Sequence, residues 1–204
     1  ATPGIKLAQK YYRAVSECSE SNIIFMKNHG LVVSGASAEE ALKLHTDVIL
    51  KICGYLDMDT DGYLYSMKLF NEVHGIDKNK IVYRCKYPDI QRAIETSGGI
   101  WRFKFSPDCV VYCGKEFMLD NGDTHRSLKE FYEKYGLPKV VINDGEAYII
   151  ADNMTAAKEC ESVLNFTAKL YLKDRDLVCL DDDECSFLLN WNSEKYRQNL
   201  RNSK

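Results

Sequence analysis

The stretch NIIFMKNHGLVVSGASAEEALKLH, residues Asn22 to His45, decides the reading of this chain. Ile23 to Met26 is an apolar run of strand length, rich in residues that suit a pleated surface. Lys27, Asn28 and Gly30 are turn formers, and Gly30 tolerates positive φ. Leu31 to Val33 is a second apolar run, closed by Ser34 and Gly35. Ser37 to Glu40 has the form of a capping box: the Ser37 hydroxyl takes one free helix N–H and Glu40 reaches back to another. Behind it Ala41, His45, Val48, Ile52 and Tyr55 recur at helical spacing, with Leu44, Ile49 and Leu56 beside them as one broad apolar face. The expected order is strand, turn, strand and capped helix.

The same order returns further along the chain. Lys139 to Leu172 holds an apolar strand, an Asn-x-Gly turn, a second apolar strand and a long helix. With two extra residues after the turn, Ser34–Ala38 aligns with Ala151–Thr155, and Asp144 takes the place of His29. Two such units, each with an apolar face, share one sheet or stack as two lobes; two ordinary α/β units that match by chance are the other reading. Around them, helices are expected at Ile5–Glu20, Tyr63–Val73, Pro88–Ile94 and Thr124–Tyr135. Strands are expected at Ile81–Tyr83, at Trp101–Phe105 and, as a continuous apolar run, at Cys109–Cys113 with Phe117–Leu119 near it. The tail is acidic at Asp181–Glu184, then helical and basic.

The Asn28-His29-Gly30 turn, the strands on either side, Gly35 and the Ser37-Ala-Glu-Glu-Ala41 helix start together resemble the class II aldolase/adducin family. Thr2–Gln9 resembles the opening of the family's preceding helix. Cys109–Gly114 and Trp191–Arg197 resemble the C-terminal extension of its longer members. The resemblance implies a three-layer α/β fold, a mixed sheet flanked by helices, incomplete at the N-terminus. Residues 1–75 would be the C-terminal part of the aldolase-like domain. Residues 76–204 would be a smaller α/β extension that partly repeats residues 22–56 at 139–172. It further implies a zinc-dependent sugar-phosphate aldolase that cleaves a ketose phosphate, with His29 as one of three zinc-binding histidines. Zinc would polarise a carbonyl and stabilise an enediolate. The family's other two zinc histidines form a His-x-His pair that this chain lacks. Its catalytic Glu and phosphate-binding loop would precede residue 1, so the chain reads as part of a longer member. Two alternatives stand beside this: a non-catalytic adducin-like assembly module, and a sugar-phosphate 4-epimerase. A homo-oligomer is expected by analogy.

Composition bounds these readings. The chain has 204 residues, 45% hydrophobic and 28% charged, which is ordinary for a globular protein. A net charge of -3, with no Lys/Arg block, argues against a nucleic-acid partner. No apolar run reaches the roughly 20 residues of a membrane span, and the polar start carries no secretory leader, so a cytoplasmic protein is expected. Eight cysteines without a Cys-x-x-Cys pair read as reduced core thiols. The sequons at Asn153 and Asn165 read as chance matches. The 13 tyrosines read as core rim rather than a sugar pocket.

The remaining candidates have bland readings. His29 is either a zinc ligand on a rigid strand-end mount or a turn histidine that tolerates the left-handed region. His45 sits on the predicted apolar helix face as a core histidine, His74 near a helix end, and His125 in solvent near a helix start. Glu39 and Glu40 are ordinary first-turn carboxylates, not acid/base groups. Asp57, Asp59, Asp61 and Gly62 open like an EF-hand loop, but its twelfth position is Lys68, which cannot ligate calcium.

Overall fold

The computed structural model describes residues 4–18, 21–97 and 104–190. Over them the chain is a mixed α/β protein with eight helices, a four-strand mixed sheet and a two-strand hairpin. It separates into two compact units, residues 1–60 and 61–204.

The first unit holds α1 (Ile5–Glu17), β1 (Ile23–Met26), β2 (Gly30–Val33) and α2 (Ala38–Tyr55). β1 and β2 pair antiparallel, Ile23 opposite Val33 and Met26 opposite Gly30. Ser37 caps α2, its hydroxyl accepting from Glu40 N–H at 3.1 Å, while Glu40 Oε2 accepts from Ala36 N–H at 2.7 Å. The capping box thus closes one residue further back than its usual partner. Gly35 has a steric reason: a Cβ there would lie 2.8 Å from the backbone nitrogen of Ala41. The interior is thin: Val48, still 9% exposed, is the one buried hydrophobic residue among those described in this unit.

The second unit holds α3 (Asp61–Ile76), β3 (Ile81–Arg84), α4 (Pro88–Ser97), a π-helix (Cys109–Cys113), β4 (Met118–Leu119), α5 (Thr124–Tyr135), β5 (Val140–Asn143), β6 (Glu146–Ala151), α6 (Met154–Lys173) and α7 (Asp182–Asn190). Its strand order is β3-β6-β5-β4. The β3–β6 and β5–β6 pairs are antiparallel and β4–β5 is parallel. Alternate residues leave the sheet on opposite faces. Val140, Ile142, Ala147 and Ile149 join Ile90, Ala93 and Ile94 of α4, Leu164 and Ala168 of α6, and Cys109 and Cys113. Val141, Tyr148, Ile150 and Met118 join Leu69 and Val73 of α3 and Leu128 of α5. Helix, sheet and helix form three layers, with a core on each side of the sheet.

Several expectations are corrected. Leu69 and Val73 pack into the second unit, and the compact units divide after residue 60. The three-layer packing expected of residues 1–75 is built by residues 61–204. Cys109–Cys113 is a π-helix and not a strand. A short apolar run does not tell strand from helix by itself. The preceding Ser106-Pro107 is a helix start, and Ser106 Oγ accepts from Cys109 N–H at 3.1 Å. Phe117–Leu119 therefore has no strand partner there, and Met118–Leu119 pairs with β5 instead. α3 continues past His74 to Ile76. The acidic run at Asp181 is itself the cap of α7: Asp181 and Glu184 exchange side-chain-to-backbone bonds at 2.8 and 2.9 Å. The strand expected at Trp101–Phe105 and the basic end of the tail fall largely outside the described residues.

Candidate functional site

The Asn28-His29-Gly30 turn is built from local chemistry. His29 N–H donates to Met26 O at 3.0 Å, closing a β-turn with Asn28 as its third residue at φ 57°. That residue needs positive φ in a type II turn, and Asn accepts it. Gly30 follows at φ 141°, a region that side chains disfavour, with open space where a Cβ would sit. The left-handed demand thus falls on Asn28 and Gly30 and not on His29. His29 is exposed at the tip of the hairpin, and its ring makes no hydrogen bond to a described residue.

The other histidines do not complete a site with it. His45 is exposed, against the expectation of a core histidine. The less exposed stripe of α2 runs through Ala41, Leu44, Val48 and Ile52, and Tyr55 and Leu56 are also in solvent. His74 stacks on Phe70, ring centroids 4.0 Å apart. His125 is in solvent as expected, with Nδ1 2.8 Å from Glu72 Oε2. Among the described residues no three His, Cys, Asp or Glu side chains converge in a set that could hold a metal ion. His29 is therefore part of no such set among the described residues.

The EF-hand likeness ends in the helix. Asp61 and Gly62 lie in the first turn of α3, and Lys68 Nζ donates to Gly122 O at 3.0 Å. Glu40 is occupied by its cap. Glu39 is held below the ordinary carboxylate value by backbone and Ser37 hydrogen bonds. Asn165 and Thr167 are buried, which closes the second sequon to modification in the folded chain.

Two carboxylates, Asp120 and Glu161, are buried beyond what the sequence pattern predicts. Asp120, 7% exposed, accepts from Tyr65 Oη at 2.7 Å, Gly122 N–H at 3.0 Å, Ser127 Oγ at 3.2 Å and the Thr124 hydroxyl. Burial pushes its pKa up, but the bonds from Thr124, Tyr65, Gly122 and Ser127 outweigh that and hold it below the usual carboxylate value. Glu161, 4% exposed, accepts from Tyr83 Oη at 2.9 Å and from Lys86 N–H. Burial and the Glu161 carboxylate push Tyr83 up to about 12. Each carboxylate ties a helix to its neighbours. The signals were present: Asp120 opens an Asx-type turn before a helix, and Glu161 interrupts the apolar stripe of α6 between Cys160 and Leu164.

Compared with known proteins, the chain matches no family model, no curated sequence and no solved structure. No helix among the described residues is long and apolar enough to cross a membrane.

Proposed function

We propose that the chain is a class II aldolase-like protein whose Asn28-His29-Gly30 turn carries one ligand of a zinc site acting on a sugar phosphate. The observation that supports this reading is the mounting of His29. A closed β-turn and a glycine at φ 141° put an imidazole at the exposed tip of a hairpin whose second strand leads into a capped helix. The neighbouring residues do not complete the metal site, so no catalytic step is assigned through zinc. A complete site needs two further ligands from a second copy or from chain continuous with this one. A homo-oligomer with sites between subunits accommodates the first source.

The test is made on the protein isolated from its source: intact mass and zinc content on one sample, repeated for His29→Ala, with sugar-phosphate cleavage assayed on both. About one zinc per chain, lost with its cleavage activity in His29→Ala, supports the aldolase reading. Zinc retained by His29→Ala overturns it. Absence of zinc overturns it in favour of the adducin-like assembly module, which needs no metal. Zinc-dependent epimerisation without cleavage would replace the reaction and keep the site.

A further inference from the structure

Two exposed surfaces of this chain carry opposite charge around an aromatic side chain. On α1, Ile5 and Tyr12 are 79% and 76% exposed. They are seven residues apart, close to two full turns, and so stand on one side of the helix. Lys6 and Arg13 follow them by one position each and form a parallel exposed row, with Lys10 beside it. α1 sets these three cations against one acid, Glu17. On α5, by contrast, the exposed Tyr132 and Tyr135 are interleaved with Glu130 and Glu133.

On α7, Phe187 is 68% exposed. Asp183 and Glu184 lie four and three residues before it, on the same side of the helix. With Pro107, Leu180 and Leu188 these three line a groove of about 400 Å³. α7 holds three acids and no base. Lys115 pairs with Asp182 at 3.2 Å, and Asp183 and Glu184 form an acidic rim to the apolar groove. An apolar groove with that rim is matched by an exposed aromatic side chain that has cations next to it. α1 presents that combination.

We propose that α1 of one copy docks on α7 of a second copy, with Tyr12 in the groove and Lys6 and Arg13 beside Asp183 and Glu184. Tyr and Arg are among the side chains on which interfaces most often depend, and opposite charge at the rim steers the encounter and fixes the partner. The two surfaces are different parts of one chain, so the contact is heterologous and copies add head to tail. It does not rest on the zinc reading.

Sedimentation velocity of the full chain tests this. At about 0.1 M salt the average mass should rise with protein concentration. At about 1 M salt, where the Debye length falls from about 10 to about 3 Å, it should return towards the 23.4 kDa of one chain. Two variants, altered only at exposed residues, then separate the halves of the contact. One carries Lys6→Ala, Tyr12→Ala and Arg13→Ala; the other carries Asp183→Ala and Phe187→Ala. Each alone should stay at the mass of one chain. Mixed one to one, the intact α7 of the first meets the intact α1 of the second, and the mixture should form a two-chain species and nothing larger. A parent mass that does not change with concentration at low salt overturns the proposal, as does an α1 variant that assembles like the parent. If only the α7 variant loses assembly, another segment fills the groove and α1 is not its occupant. If both variants lose assembly and do not pair when mixed, each surface meets its own kind, and the head-to-tail contact is wrong.

Discussion

Two pieces of the molecule use one plan to different depth. β1, β2 and α2 form a hairpin followed by a capped helix, and so do β5, β6 and α6. Ser37 caps the first helix, and Asn153 caps the second by accepting from Ala156 N–H at 3.0 Å. The later hairpin gains β4 on one edge and β3 on the other, and both of its faces are covered. The earlier one pairs only with itself among the described residues, and its helix buries Val48 alone. Local signals build the same local structure twice. Whether that structure becomes a core depends on its neighbours, because burial is a property of the surroundings.

The comparison breaks most visibly in the core. Leu164→Ala in α6 and Ile149→Ala in β6 remove side chains that are fully buried. Each should cost about 2–5 kcal/mol. Leu42→Ala in α2 and Phe25→Ala in β1 remove side chains 67% and 64% exposed. Each should change stability by less than about 0.5 kcal/mol. Urea unfolding of the four variants measures both. Equal losses in the two pieces would mean that the first hairpin is covered in solution as the second is.

The next effect down sharpens the role of the second unit's neighbours. Asp120 joins α3 to the start of α5 through Tyr65, Thr124 and Ser127. Asp120→Asn replaces half of its acceptor capacity by donors that face other donors, and should cost about 1–3 kcal/mol. The carboxyl pKa lies lower folded than unfolded. Its contribution is therefore fully present above the unfolded value of about 3.9 and is lost as pH falls through the lower folded value. Acid unfolding of the second unit should be shallower in Asp120→Asn than in the parent. Parallel acid profiles would mean that another carboxylate carries the acid sensitivity.

What was legible in the sequence follows the same division. The strands at Ile23 and Val140, the helix Thr124–Tyr135 and the caps at Ser37 and Asn153 are written in spacing and end residues, which act over a few positions. The repeat was visible because it is a repeat of such local signals. The boundary after residue 60 was not, since the packing of Leu69 and Val73 depends on strands far along the chain. The π-helix is hard to read from sequence because Cys-Val-Val-Tyr-Cys suits a strand as well as a helix, and only Ser106-Pro107 before it points to a helix start. At the candidate site, the turn around His29 was legible and its exact backbone was not: the positive φ lies at Asn28. Asp120 and Glu161 are not legible in the sequence because a buried carboxylate is recognised by its donors, which come from other elements.

The smallest effects lie in the turns and caps, and they sharpen the comparison residue by residue. The second hairpin turns on two residues, Asp144 at φ 48° and Gly145 at φ 79°, both positive as a type I′ turn requires. The first turns on three, Lys27, Asn28 and His29, between the paired Met26 and Gly30. Gly145→Ala should therefore cost about 1–2 kcal/mol, while Asn28→Gly should be neutral or slightly stabilising because glycine accepts φ 57° freely. Ser37→Ala and Asn153→Ala each remove one cap bond, worth about 1 kcal/mol. The readout differs between them. In Asn153→Ala the loss should appear in the cooperative unfolding of residues 61–204, since α6 is part of that core. In Ser37→Ala it should appear as about five-fold faster hydrogen exchange in the first turn of α2, the same 1 kcal/mol expressed as a local opening, with the main transition unmoved. If Ser37→Ala shifts the main transition as far as Asn153→Ala does, α2 unfolds with the rest, and the two pieces are equal members of one cooperative structure.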